Sequence, residues 1–189
     1  ELISAQFNFP LVVKPSQGGS ALGVTIVNEA SQLPGAMVDC YAYGEQARIE
    51  EYVVGREVAV SVVDISGEPR ALPPVEINID GLYDYDARYN PGRAEYFVPA
   101  RLDDDELAAV KVVAERAHSI LGLRHLSRTD VIVQDDGTVM LLDINVAPGT
   151  TETSLFPQAA TAEAAARGVD ADEIYIEILQ AALRDAGKT

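Results

Sequence analysis

At 189 residues, 48% of them hydrophobic, the chain is long enough for one sizeable core or two small lobes and too apolar for a disordered segment. Thirty acidic residues against fourteen basic ones give a formal charge of −16, which disfavours nonspecific attraction to nucleic acid or an anionic membrane. No apolar run approaches the length of a membrane-spanning helix, and the single Cys40 can form no internal disulfide, which suits a reducing cytoplasm.

In chain order, residues 9–15 (Phe-Pro-Leu-Val-Val-Lys-Pro) predict a short buried strand that delivers Lys14. Residues 16–23 (Ser-Gln-Gly-Gly-Ser-Ala-Leu-Gly) form a polar loop of small residues, and 24–27 a return strand. The stretch that follows has no assignable pattern up to Gly44. Residues 48–53 and 57–63 read as strands interrupted by Gly55, and 64–100 alternate short strands with Gly/Pro turns and a long loop around Tyr83 to Arg93. From 103 to 121, Leu107, Val110, Val113, Ala114, Ala117 and Leu121 recur at helical spacing, with Asp103 or Asp104 as N-cap, acids in the first turn and Gly122 at the end. His118 and His125 flank that end, where a histidine commonly satisfies helix carbonyls, and Cys40 is expected to be structural. Two alternating runs around Asp136-Gly137 predict an antiparallel hairpin, followed by an irregular Pro/Gly/Thr stretch and a final helical region containing Ile174, Ile178, Leu179 and Ala182. The class is α+β, with largely antiparallel sheet and flanking helices.

Two places carry chemistry. The hairpin brings Asp130 near Asp143 and Asn145, and residues two apart on a strand share a face, so two carboxylates and an amide can form a hard oxygen set suited to Mg2+ on nucleotide phosphates. Asp and Asn also serve as ordinary strand-end and turn residues. The small residues at 16–23 let backbone N–H groups turn toward an anion, with Ser20 adding a hydroxyl and Lys14 a point charge, although such a loop can equally be a plain turn. It is not the Walker pattern, and no Gly-x-Gly-x-x-Gly opens a helix.

Five pieces occur in one order: Lys14-Pro-Ser-Gln-Gly-Gly-Ser-Ala-Leu-Gly, Ile49-Glu-Glu-Tyr-Val-Val-Gly-Arg-Glu57, Tyr83-Asp-Tyr-Asp-Ala-Arg-Tyr89, Arg128-Thr-Asp130 and Asp143-Ile-Asn-Val-Ala-Pro-Gly149. Together they resemble the D-alanine–D-alanine ligase family of the ATP-grasp superfamily. That family phosphorylates a D-alanine carboxylate with ATP, and the amine of a second D-alanine then displaces phosphate from the acyl phosphate. The resemblance implies residues 1–57 as part of the small ATP-grasp lobe and 58–189 as the C-terminal lobe with the metal and substrate site.

By matching positions, the resemblance implies that Lys14 and Ser20 contact the ATP phosphates. It puts Glu50, Glu51 and Val53 in the segment that holds adenine, and Glu57 on the ribose hydroxyls. Asp130, Asp143 and Asn145 match the ligands of two Mg2+ ions, with Mn2+ as a substitute. Arg128 and the Gly149 N–H match the oxyanion donors, and Ser154 the carboxylate site of the second substrate. Residues 83–89, with Arg88 and Tyr89, match a loop that closes over the site and excludes water.

The chain departs from the pattern at Asp143, where Glu is usual, at Arg88, where Lys is usual, and at Ala147 and Thr150. Another carboxylate–amine ligase making a dipeptide or depsipeptide, or a catalytically silent nucleotide-binding domain, therefore stays open. Because family members carry an N-terminal domain and a further small-lobe lysine ahead of the matched region, the chain is expected to be inactive alone. A homodimer is implied for the full-length enzyme.

Overall fold

The computed structural model describes residues 7–79, 81–83, 85–90 and 92–187, and of Tyr89 the backbone alone. By its internal contacts the chain divides into a first unit, Glu1–Val54 with Ile79–Ala94, and a second, Gly55–Asn78 with Glu95–Thr189. The boundary lies three residues before the 57/58 division expected from the sequence, and residues 79–94 join the first unit.

The first unit is built on a three-stranded antiparallel sheet in the order β2 (Thr25–Val27), β1 (Leu11–Pro15), β3 (Ala47–Glu51). Leu11 lies opposite Val27 on one side and Glu51 on the other, while Lys14 lies opposite Arg48. Alternation therefore sends Leu11, Val13 and Val27 to one face, where they bury against Ala36 and Cys40 of α1 (Leu33–Tyr41). Val12 and Lys14 turn to the other. Helix α1 occupies the stretch without a sequence pattern. Its apolar face is short, with only Ala36 and Cys40 buried, and a proline in its first turn starts it. Cys40 is buried and its thiol is pushed up by desolvation, in keeping with a packing role. The 79–94 segment contains the short helix α2 (Tyr85–Tyr89) where the sequence suggests only a loop.

In the second unit, β4 (Arg56–Asp64) is the longest strand and the centre of the sheet. The order is β7 (Glu95–Phe97), β6 (Val75–Asn78), β4, β8 (Leu126–Val133), β9 (Val139–Asn145), with β5 (Pro69–Ala71) pairing the far end of β4. Every ladder is antiparallel. Val58, Val60 and Val62 of β4 and Val131 and Val133 of β8 share one face and pack against Val110 and Ala114 of α3 (Asp104–Ile120). Asp103 caps α3 in a capping box with Glu106, as the acid-rich start predicts. His118 does not cap the helix end: it is buried inside, its Nδ1 2.8 Å from Ser127 Oγ, and burial pushes its imidazole below the usual range.

The final helical region holds two helices, α4 (Leu155–Arg167) and α5 (Ala171–Ala186). Gly168 in the left-handed conformation ends the first, and Asp170 caps the second. The α4 core face is Leu155, Phe156, Ala159, Ala160 and Ala164, so after its first turn small alanines replace the bulky residues that make periodicity visible. No helix among the described residues is long and apolar enough to cross a membrane.

Candidate active site

The hairpin β8–β9 pairs Asp130 with Asp143 and Arg128 with Asn145. Residues directly opposite in a ladder share a face, so all four side chains project from the sheet surface remote from α3. An irregularity makes this possible. Val131 pairs with Leu141 while Asp130 pairs with Asp143, leaving Leu142 as an extra residue in β9. In a regular strand Asp143 and Asn145 would share a face with Val139, which packs in the α3 core. The bulge at Leu142 re-aims both onto the polar face. Its trace in the sequence is the unbroken apolar run Met140-Leu141-Leu142, which interrupts alternation.

Arg128 and Asp130 are both buried and form a two-pronged ion pair, Nε to Oδ1 at 2.7 Å and Nη2 to Oδ2 at 2.8 Å. Asn145 Nδ2 donates to Asp130 Oδ2 at 3.3 Å. A carboxylate offers about four lone-pair sites, so Asp130 retains acceptor capacity for a cation after these three donors. Asp143 is exposed, with an open carboxylate. Among the described residues no three His, Cys, Asp or Glu side chains are grouped so as to hold a metal ion by themselves. Two carboxylates and an amide are a hard oxygen set that fits Mg2+, which keeps water and takes phosphate oxygens for its remaining positions. Glu57, opposite Ile132 on β4, lies on the same face, two residues along from Ala59, which faces Asp130.

Asn145 is the last residue of β9, so the loop that follows begins beside Arg128. In this loop Gly149 comes close to Ser154: a Cβ at 149 would lie 2.6 Å from Ser154 Oγ. The Ser154 hydroxyl meets Thr151 Oγ1 at 2.9 Å, and its N–H donates to the Thr151 carbonyl. Ser154 is the N-cap of α4 but makes no side-chain capping bond, and because Pro157 in the first turn has no N–H, the N–H groups of Leu155 and Phe156 are the donors a carboxylate there would meet. Thr151 has no distinguishing signal in the sequence.

In the first unit, Lys14 and Glu50 project from the sheet face opposite α1 and pair, Nζ to Oε2 at 2.7 Å, with Arg48 Nη1 3.6 Å from Glu50 Oε1. Glu51, opposite Leu11, belongs to the α1 side, so the structure separates it from the other two. Val53 is half-buried in the connection after β3. In the glycine loop, Ser20 (φ 55°) and Ala21 (φ 57°) are both left-handed, and the loop is held by Ser16 N–H to the Gln46 carbonyl at 2.9 Å and Leu22 N–H to the Gly19 carbonyl at 3.2 Å. Gly23 (φ 71°) closes it where a Cβ would strike the Tyr43 ring at 2.7 Å. Arg88 folds back within its own segment, its Nε donating to the Tyr83 carbonyl at 3.1 Å and its guanidinium 4.3 Å from the centre of the Tyr83 ring. The Tyr89 side chain lies outside the described residues.

A polar cleft of about 320 Å³, lined among others by Asp64, Arg124, His125, Arg184 and Asp185, contains none of the expected site residues.

A mixed sheet-and-helix chain with a glycine-rich loop, and a sheet face bearing two carboxylates, an amide and an arginine, is the arrangement of the ATP-grasp ligases. The family model described as "D-ala D-ala ligase C-terminus" matches residues 1–180, and the chain belongs to that family. It is 42% identical over 160 residues to a D-alanine--D-alanine ligase of Halalkalibacterium halodurans, covering 82% of this chain and 52% of that protein. It is 37% identical over 182 residues to one of Geotalea uraniireducens, covering 96% and 56%. Among solved structures, the D-alanine--D-alanine ligase of Bacillus anthracis superposes with a TM-score of 0.76 at 28% identity, covering 95% of this chain and 56% of that one. The VanG D-Ala:D-Ser ligase of Enterococcus faecalis superposes with a TM-score of 0.78 at 25% identity, covering 94% and 51%. The chain thus spans about half the length of the curated relatives it matches.

Proposed function

We propose that this chain is the ATP-grasp portion of an ATP-dependent D-alanine–D-alanine ligase that supplies the dipeptide for peptidoglycan synthesis in the cytoplasm, with the full-length enzyme a homodimer. The observation that carries the proposal is the clustering of Arg128, Asp130, Asp143 and Asn145 on one sheet face, at the start of the loop that pairs Gly149 with Ser154.

Asp130, Asp143 and Asn145 would hold Mg2+, two ions in the full reaction, with Mn2+ as a substitute, and metal held there would supply positive charge against the phosphates during phosphoryl transfer. Lys14 and Ser20 contact the phosphates, Glu50 and Val53 the adenine, and Glu57 the ribose hydroxyls. Glu51 adjoins Glu50 in the same segment, with its side chain on the other sheet face. Transfer of the terminal phosphoryl group to one D-alanine carboxylate leaves ADP, and the second D-alanine's amine then forms the peptide bond with loss of phosphate. Negative charge gathers on the former carboxyl oxygen during that attack. Arg128 and the Gly149 N–H are fixed donors for it, and one such donor is worth about 10²–10³ in rate. Ser154 and the start of α4 receive the second substrate's carboxylate. Arg88 and Tyr89 close the 83–89 loop over the reactants and exclude water.

A second reading, a ligase joining D-alanine to another acceptor, is favoured by Asp143, whose shorter arm moves the metal by about one methylene relative to glutamate, and by the likeness to a D-Ala:D-Ser ligase. The test is calorimetric titration of the chain with ATP, with and without Mg2+, on wild type and Asp143→Ala. Mg2+-dependent heat that is lost in the variant supports the reading, and its absence from wild type overturns it. In the full-length enzyme, ADP release screened against D-alanine, D-serine, D-lactate and L-amino acids separates the two substrate readings. Normal turnover by this chain alone would contradict the expectation that ligation needs the rest of the enzyme.

A further inference from the structure

The segment with Arg88 and Tyr89 leaves the sheet at Asn78 and re-enters it at Glu95, so its root is the short β6–β7 ladder, which pairs Glu76 with Phe97, Ile77 with Tyr96 and Asn78 with Glu95. Three residue pairs are a weak anchor for a sixteen-residue excursion, Ile79–Ala94. Beside this root stands a polar cluster that the proposed chemistry does not use.

Glu76 is 4% exposed, on the face packed against α3, where a lone carboxylate would be costly. Arg101 satisfies it. The Arg101 N–H donates to Oε2 at 2.8 Å, Nη2 to Oε1 at 2.6 Å, and Nε to both oxygens at 3.1 and 3.2 Å. The same guanidinium lies 3.5 Å from the centre of the Phe97 ring, the residue opposite Glu76 in the ladder. Arg56 donates through Nη1 to the Arg101 carbonyl at 2.8 Å and pairs with Glu106, which completes the α3 capping box with Asp103. The Arg101 guanidinium therefore ties β6 to β7 at the point where the excursion begins and ends, and the Arg56 guanidinium links the Arg101 backbone to the start of α3.

We infer that Glu76 and Arg101 are positioning residues that fix the root of the 79–94 segment and so set how it closes. The inference rests on the reading of this segment as the closing loop. Glu76, opposite Val58, lies on the sheet face away from Asp130, which is opposite Ala59. The effect of Glu76 and Arg101 is on the angle and slack with which the segment leaves the sheet. Phe97 holds the guanidinium flat in that arrangement, and lysine, with a point charge in place of a planar fork, cannot reproduce it.

The test is amide hydrogen exchange across residues 79–94 of the chain, with and without Mg-ATP, in wild type, Arg101→Lys, Glu76→Gln and Phe97→Leu. Arg101 is half-exposed, so Arg101→Lys remains informative if the buried Glu76→Gln fails to fold. Without nucleotide, Arg101→Lys and Glu76→Gln are expected to speed exchange in the segment about tenfold, the equivalent of one charge-assisted hydrogen bond, with β4 and β8 unchanged. Phe97→Leu should give a smaller change in the same place. With Mg-ATP, wild type slows exchange in the segment and the two clamp variants slow it less at unchanged nucleotide affinity. Lower thermal stability with wild-type exchange in the segment would make the cluster merely structural and overturn the inference. Binding of Mg-ATP to wild type without any slowing would also overturn it. If wild type binds no Mg-ATP, the ligase reading fails, and the nucleotide-free exchange still decides the positioning role.

Discussion

Replacing Gly149 by alanine should injure the protein chiefly through one neighbour. The added Cβ would lie 2.6 Å from Ser154 Oγ and 3.4 Å from Ser154 Cβ, with no backbone atom among its close contacts. A carbon and an oxygen in ordinary contact are about 3.2 Å or more apart, so the overlap is roughly 0.6 Å and falls on a side chain that can turn about one bond. Small overpacking of this kind costs about 1–3 kcal/mol, and the lower half of that range applies because Ser154 can rotate. Rotation gives up the Thr151–Ser154 bond, an exposed contact worth about 0.5–1 kcal/mol. Gly149→Ala alone should therefore lose about 1–2 kcal/mol, and Ser154→Ala alone less than about 1 kcal/mol. In the double variant the nearest atom becomes a Cβ at ordinary contact distance, so the clash disappears and the loss should fall short of the sum by about 1 kcal/mol. Urea unfolding of the four proteins measures this directly. Losses that add to within about 0.3–0.5 kcal/mol would show that Gly149 and Ser154 are not in contact, and the geometry of the loop between β9 and α4 would be wrong.

Gly55→Ala brings a Cβ to 2.4 Å from the Val133 carbonyl oxygen, where backbone at the end of the β4–β8 ladder must move. It should cost about 2–3 kcal/mol and lower Tm by roughly 4–12 °C in a thermal melt; an unchanged Tm would refute the close approach. His118 is held below its usual 6.5 by burial, so the unfolded chain binds the extra proton more readily. Its neutral form stabilises the fold fully above about pH 6.5, and that share is lost as pH falls toward the lower folded value. In unfolding experiments the acid slope just below 6.5 should flatten in His118→Gln. Glu76 is held below its usual 4.5 chiefly by its hydrogen bond to Arg101. Its contribution is present above that value and disappears as pH drops through the folded value. The stability gap between wild type and Arg101→Gln should therefore narrow in acid, and a gap independent of pH down to 3 would contradict the pairing.

Much of this arrangement is written in local pattern. The capped helix α3 announces itself through Asp103, its acidic first turn and bulky residues at helical spacing. The hairpin follows from alternation around Asp136-Gly137, where Asp136 Oδ1 accepts from the Thr138 N–H at 2.9 Å. Helices α1 and α4 escape because their buried faces are mainly small residues, Ala36 and Cys40 in one and Ala159, Ala160 and Ala164 in the other, which give little periodic contrast. The shared face of Asp143 and Asn145 is legible from their spacing, but which face it is depends on the bulge at Leu142, a matter of register with β8. The Arg128–Asp130 pair follows from two residues on one face of a strand, whereas the separation of Glu51 from Glu50 reflects strand alternation that a run of two acids conceals. The Glu76–Arg101 clamp spans 25 residues and leaves no local trace.

The central claim is that a divalent cation sits on the Asp130–Asp143–Asn145 face, and paramagnetic broadening by Mn2+ tests it most directly. With ATP present, Mn2+ should broaden the amide resonances of residues 128–130 and 143–145 first, and Asp143→Ala should abolish that effect at the same metal concentration. Broadening centred instead on the acidic start of α3, or on the cleft around Asp64 and Asp185, would contradict the account.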